Sequence, residues 1–317
     1  MIEKMTAAPL GGVIGMVVTP MHADDDYSVN EDALRRQVDW CFAQGAVGIN
    51  ATPSIGEFPH LSFDERVRCM QVTLEQIRQH HGTALVTSSG VTTLQSLEYT
   101  RIAADMGYDY AVIIAPYYWK VGELEVKRHF FDIADKGGLP VVIYHNPALS
   151  KFHLRPRFVG ELAKHPNIVG IKEVETDLQH LEALVEEIEG RLTYLQTFRA
   201  YVTGRLLGSA GGAINVFAIP ACVEIDRALE AGDIARAELV QRRLNLVFPR
   251  GGEAALGALG MTKVCASVTT GIEMGPARPP YLAPDDAEER LTKALPLLTE
   301  VVPAMRTRPA TAAVVAA

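Results

Sequence analysis

Residues 168–174 read I-V-G-I-K-E-V, a lysine set inside a run that otherwise suits a buried strand. Side chains alternate along a strand, so Lys172 and Gly170 share one face while Val169 and Ile171 share the other. With the branched residues facing outward, Lys172 faces the interior and Gly170 leaves room beside its stem. Burial disfavours the ammonium and lowers a lysine pKa from about 10.4 by several units. The neutral amine is a nucleophile toward ketones and forms Schiff bases. The alternative is a structural lysine that reaches solvent or pairs with Glu173.

Other residues supply what an imine needs. Tyr144 ends the run L-P-V-V-I-Y-H-N (139–146) and alternates with Val142, so its phenol can share the interior face. A phenol beside an imine can carry protons to and from the carbinolamine and leaving groups. The turn S-I-G-E (54–57) offers backbone N–H groups and the Ser54 hydroxyl to a carboxylate, and Gly56 permits close approach. Tyr117 and Tyr118 add phenols at a further strand end. Together these groups describe a site for a small 2-oxo acid.

The elements that must position them alternate along the chain. Apolar runs of strand length occur at 12–20, 46–51, 84–89, 109–115, 139–146, 168–174, 192–198 and 212–217. Segments with helical spacing lie between them, such as 62–78, where Ser62 caps and Glu65 closes a capping box. Strands apolar on both faces, alternating with helices, predict an α/β fold with a parallel sheet and helices outside. Eight such units predict a closed (β/α)8 TIM barrel with its chemistry at the C-terminal strand ends. A doubly wound open sheet is the alternative, but no G-x-G-x-x-G follows the first strand. Residues 218–305 read as helices, with 226–247 expected as a single amphipathic one. The predicted organisation is a barrel over 10–230, a C-terminal helical extension over 231–305 and a frayed, disordered tail over 306–317.

Composition excludes some functions. The chain has 317 residues, is 48% apolar and 21% charged, and carries a formal charge of −8. That balance, without a basic block, argues against nucleic acid as a partner. The first apolar run is too short to span a bilayer, so no membrane association is expected. Four widely spaced cysteines without a C-x-x-C suit reduced thiols and a cytoplasmic location. No flavin, nicotinamide or pyridoxal motif is present, so no cofactor is expected. A metal-dependent barrel lyase or hydrolase would need converging ligands. Of the nine histidines only His145 falls at a strand end, so none are expected to converge and no metal is predicted.

With those motifs in hand, the sequence resembles the dihydrodipicolinate synthase/N-acetylneuraminate lyase family of class I aldolases over about residues 10–300. The likeness rests on P-S-I-G-E (53–57), Pro116-Tyr117-Tyr118, Tyr144 to Pro147, Gly170 to Glu173, and R-P-P (278–280). The resemblance implies Lys172 as the Schiff-base lysine and Tyr144 as the proton-transferring tyrosine. It implies Ser54 in a hydroxyl relay, and Tyr118 lent to a neighbouring subunit's site in a homotetramer. It further implies carboxylate contacts from the backbone of Ile55 and Gly56, and a backbone carbonyl of Ile214 lining the pocket. Members that make dihydrodipicolinate carry an arginine two residues after the strand-five proline; this chain has Leu149. That departure argues against that reaction.

The expected activity is therefore a carbon–carbon lyase that forms a Lys172 imine with pyruvate or another 2-oxo acid. It makes or breaks a bond to an aldehyde, as 4-hydroxy-2-oxo acid aldolases and hydratase-aldolases do. A keto-deoxy-sugar-acid dehydratase using the same imine, and a non-catalytic 2-oxo-acid binding protein, are the alternatives. Asn146, Lys151, Trp119, Arg199 and Asn215 are the candidates for distal specificity. Arg199 or Lys151 would meet a second carboxylate, whereas Trp119 or Phe198 would stack on an aryl group.

Overall fold

The strands of the barrel are buried on both faces, and that double burial determines how they close. The computed structural model describes residues 9–24, 26–248 and 258–305, so the expected tail over 306–317 lies outside the described residues. The strands are β1 (Gly12–Met16), β2 (Gly48–Ala51), β3 (Thr83–Thr87), β4 (Tyr110–Ile114), β5 (Val141–His145), β6 (Ile168–Glu173), β7 (Thr193–Gln196) and β8 (Gly211–Asn215). They pair in parallel and in sequence order, and β8 returns to β1 to close the barrel. Alternation sorts their side chains into two cores. Ile14, Leu85, Val112, Val142 and Leu195 fill the interior, while Ile49, Ile113, Ile143, Ile171 and Ile214 face the helices.

The helices surround this barrel. They are α1 (Glu31–Ala43), α2 (Phe63–Gln79), α3 (Thr93–Met106), α4 (Glu123–Lys136), the single-turn α5 (Pro147–Ser150), α6 (Pro156–Leu162), α7 (Leu178–Ile188), α8 (Tyr201–Leu206) and α9 (Ile219–Glu230). The expected capping box forms at α2: Ser62 accepts from the Glu65 amide, and the Glu65 carboxylate accepts from the Ser62 amide. Beyond α9 come α10 (Ile234–Val247), α11 (Ala258–Thr270), α12 (Ala287–Ala294) and α13 (Pro296–Thr299). The single helix expected over 226–247 is two helices. Gly232 takes a left-handed φ of +73°, and the Asp233 side chain starts α10 by accepting from the Arg236 amide.

Gly170 also differs from expectation. A Cβ there would lie 2.8 Å from Leu10 Cδ2 and 3.1 Å from the Thr193 carbonyl. The space beside it is occupied by Leu10, which packs against the interior core, rather than reserved for the lysine stem. All four cysteines are buried and free. Among the described residues no helix is long and apolar enough to cross a membrane. Gly170→Ala should lower unfolding free energy by about 1–3 kcal/mol through overpacking against Leu10. The check is the urea midpoint, read at an unchanged m-value.

Candidate active site

Lys172 and Tyr144 stand directly opposite each other across the β5–β6 ladder. Both point into the barrel at its C-terminal end, and Lys172 is 7% exposed. The Lys172 Nζ lies 3.8 Å from the centroid of the Tyr144 ring. Among the described residues Lys172 makes no salt bridge. Burial pushes its amine below the ordinary lysine value, against an opposing pull from the Tyr144 phenol. The Tyr144 oxygen accepts a 2.8 Å hydrogen bond from Asn146 Nδ2, which fixes the phenol and leaves its own proton to be given elsewhere.

The strand ends enclose a cavity of about 300 Å³ whose wall includes Lys172, Tyr144, Ser54, Ile55, Arg199 and Asn215. Ser54 and Ile55 begin a single 3₁₀ turn, Ser54–Gly56. The Ser54 Oγ is buried and has no hydrogen-bond partner among the described residues. Gly56 lies behind the wall, where its carbonyl accepts from Thr19 Oγ1 at 2.6 Å. The flanking backbone is strained, because Thr52 and Glu57 have φ of +46° and +59°. Such non-glycine conformations cost of order 1–3 kcal/mol each and persist only when the surroundings hold them. Thr52 is held by its hydroxyl bond to the Thr87 carbonyl.

Glu57 is held by the C-terminal extension. Its carboxylate is fully buried, 2.8 Å from Lys263 Nζ of α11. It also accepts from the Arg278 amide at 3.0 Å. Lys263 also donates to the Pro276 carbonyl at 2.6 Å. Burial pulls the Lys263 ammonium below its usual value while Glu57 pulls the other way. The arginine of R-P-P, Arg278, reaches Glu65 at the start of α2 and the carbonyls of Tyr27 and His60.

A second cavity of about 420 Å³ shares the Ser54, Ile55, Tyr144 and Asn146 wall. Its remaining lining is mostly apolar and aromatic, including Phe58, Ile114, Tyr117, Leu149, Leu259 and Tyr281. Tyr117 and Leu149 could be placed near a site from the strand-end rule, but Tyr281 and Leu259 come from the extension and had no such signal.

The remaining expected residues fall on and beyond the cavity walls. Ile214 packs outward into the helix-facing core, and its neighbours Ala213 and Asn215 line the first cavity. Tyr118 is 64% exposed and touches Trp119 edge-on, outside both cavities of its own chain. Trp119 is 76% exposed, and Lys151 donates to the Tyr118 carbonyl. Phe198 and Arg199 do line the first cavity, with the Arg199 guanidinium 4.7 Å from the Phe198 ring and bonded to the Phe248 carbonyl.

The histidines do converge, contrary to the sequence expectation. His145 and Glu173 form the next cross-strand pair after Tyr144 and Lys172, on the opposite face. Glu173 therefore does not pair with Lys172. Its carboxylate accepts from His145 Nδ1 at 2.8 Å and from His180 Nε2 at 3.1 Å. Those three offer donor atoms within 4.8 Å of one another, a spacing that would suit a cation. His145 Nε2, however, accepts the Leu154 amide, so its Nδ1 carries the proton given to Glu173. A bound cation would have to displace that proton. Burial alone would raise the Glu173 carboxyl, but the two imidazole hydrogen bonds outweigh it and hold the group at about 2.

Comparison with known proteins gives a consistent set of relatives. The chain matches the model of the dihydrodipicolinate synthetase family over residues 9–296. It is 30% identical over 295 residues to a 4-hydroxy-tetrahydrodipicolinate synthase of Methanospirillum hungatei JF-1, covering 90% of this chain and 96% of that one. It is 31% identical over 236 residues to a protein of the same description from Acidiphilium cryptum, covering 74% and 80%. Among solved structures it aligns with YagE, a prophage protein of the dihydrodipicolinic acid synthase family from E. coli K12, solved in complex with pyruvate. The TM-score is 0.84 at 27% identity, covering 92% of this chain and 99% of that one.

Removing one partner of the buried Glu57–Lys263 pair should leave an uncompensated charge. Lys263→Met is expected to cost about 3–5 kcal/mol, and Glu57→Gln/Lys263→Met to recover most of it. Denaturant midpoints of the single and double variants test this. Equal losses in both would show that the pair is not the source.

Proposed function

The chain belongs to the dihydrodipicolinate synthetase family, and from that premise we propose that it is a class I carbon–carbon lyase working through a Lys172 Schiff base. The observation that carries this reading is a buried lysine that meets no acidic partner among the described residues, at a barrel strand end, against a tyrosine ring. In the cleavage direction the 2-oxo acid sets its carboxylate on the Ser54–Gly56 turn, where the unpartnered Ser54 hydroxyl receives it. The neutral amine of Lys172 adds to the C2 carbonyl, and loss of water leaves an imine. Tyr144 has given its proton to the departing carbinolamine hydroxyl, and the phenolate so formed takes the 4-hydroxyl proton as the C3–C4 bond breaks. The bonding pair moves into the imine, giving an enamine and a free aldehyde. Protonation at C3 and hydrolysis by water release pyruvate and restore Lys172. Asn146 keeps the Tyr144 oxygen in place throughout.

The acceptor aldehyde is the finer part of the proposal. Leu149 stands where an arginine would grip a carboxylate, and it lines the apolar cavity beside the imine. This supports an aldehyde with an apolar or aryl body, as in hydratase-aldolases, over aspartate semialdehyde. Asn215 and Arg199, on the wall of the first cavity, are the groups for a more polar end. Tyr118, exposed and clear of its own cavities, supports a role in a neighbouring subunit's site, with a homotetramer as the assembly. A dehydratase using the same imine remains the second reading. It is favoured by the shared wall of the two cavities, which gives a longer keto acid room on both sides of Tyr144.

Borohydride reduction of the protein with pyruvate should give a stable adduct on the Lys172 peptide, read by mass spectrometry and absent in Lys172→Ala. No adduct with any 2-oxo acid would end the lyase reading. Leu149→Arg should lower KM for an acceptor bearing a carboxylate and raise it for an aryl aldehyde, each by about 10-fold or more. Equal shifts for both acceptors would remove Leu149 from the specificity wall.

A further inference from the structure

We propose that His145, Glu173 and His180 form a positioning network on the outer face of the barrel that holds Lys172 and Tyr144 in register for imine chemistry. The inference rests on the reading of Lys172 as the Schiff-base lysine. It starts from the ladder. Tyr144 pairs with Lys172, and the next residues along, His145 and Glu173, pair with each other. Because side chains alternate, one pair faces the cavity and the other faces the helices.

Asn146 fixes the Tyr144 phenol, but it does not hold the Lys172 amine to that phenol when it reacts. A cation over a ring is attracted only while the amine is charged. Once Lys172 gives up its proton to become a nucleophile, that attraction is lost. Alignment must then come from the strands that carry the two side chains.

The outer pair supplies it. The Glu173 carboxylate accepts from the amides of Val174 and Glu175, both at 2.8 Å, as well as from the two imidazoles. These bonds fix the backbone just past Lys172. His180 lies in the first turn of α7, so its bond ties that helix to the end of β6. His145 extends the network the other way, since its Nε2 accepts the Leu154 amide at 3.1 Å. One carboxylate thus joins β5, the segment leading into α6, β6 and α7. His145 and Glu173 are fully buried, and His180 is nearly so. The ring of His153 packs 5.0 Å from His145 and 5.1 Å from His180, covering the network on its solvent side.

His180 is the best place to test the network, because it lies at its less buried end. Removing the bond in His180→Ala should slow borohydride-trapped imine formation with pyruvate by about 10-fold or more, given that a 1 Å misplacement can cost about 10²-fold. Gln places an N–H where imidazole Nε2–H stood, so His180→Gln should restore the rate to within about threefold of wild type. The KM for pyruvate should move less than kcat in both variants, because the carboxylate turn lies on the far side of the barrel, after β2. Glu173→Gln, compared at a temperature where circular dichroism shows it folded, should behave like His180→Ala. Wild-type imine formation with unchanged rates in His180→Ala and Glu173→Gln would overturn the network and leave the lyase reading intact. Absence of a wild-type adduct would overturn the lyase reading itself. One equivalent of zinc in the purified protein, lost together with activity in His180→Ala, would replace the hydrogen-bond assignment with a metal site.

Discussion

A lysine ammonium taken out of water inside an apolar barrel loses several kcal/mol of hydration, and a cation–ring contact returns only part of it. Lys172 meets that condition at 7% exposure against the Tyr144 ring. The cost falls on the charged form, so it turns directly into a larger fraction of free amine. Everything that keeps the strand end dry therefore acts on the chemistry. Closure of β8 onto β1 is the main such device, because an open sheet would leave one flank of the cavity to solvent. The barrel is both the scaffold and the reason that the Lys172 amine sits below the ordinary lysine value.

The second buried lysine shows what decides between structure and chemistry. Burial lowers both Lys172 and Lys263. Lys263, however, has the Glu57 carboxylate at 2.8 Å and the Pro276 carbonyl at 2.6 Å. Those partners stabilise its charge and consume its protons, so it serves as a cross-brace. Lys172 has neither, because its sequence neighbour Glu173 points to the opposite face and is saturated by imidazoles and amides. The brace matters to the site as well. It carries the extension onto Glu57, at the end of a strained turn whose Ser54 hydroxyl faces the cavity wall.

Much of this was legible in the sequence because it depends on local periodicity. Strand alternation put Lys172 and Tyr144 on one face, and the capping box marked the start of α2. The errors came where distant segments meet. Reading 226–247 as one helix let apolar spacing outweigh the Gly232–Asp233 break, although both stop and start signals were present. The histidine cluster was invisible because His145, His153 and His180 come together only through the β5–β6 register and the return of α7. The apolar cavity was equally hidden, since Tyr281 and Leu259 join its wall from the far end of the chain. Trp119, by contrast, follows a strand end but is carried outward by the loop after it.

The division between well-determined and open features follows from how the two halves of the site are built. In the proposed reading, the 2-oxo acid end is held by a strand lysine, a strand tyrosine and a turn whose shape is set by backbone bonds and a buried ion pair. Such groups cannot move without disturbing the barrel, so they define a reaction class. The cavity proposed for the acceptor is lined by side chains such as Leu149, Phe58 and Tyr281, on loops and on the extension. Those positions can change without cost to the core, and barrels of this kind change substrate by changing them. A likeness of about one residue in three to named synthases can therefore coexist with an altered acceptor. The proposed acceptor specificity turns on Leu149, because an apolar side chain there supplies no fixed charge to a carboxylate-bearing aldehyde.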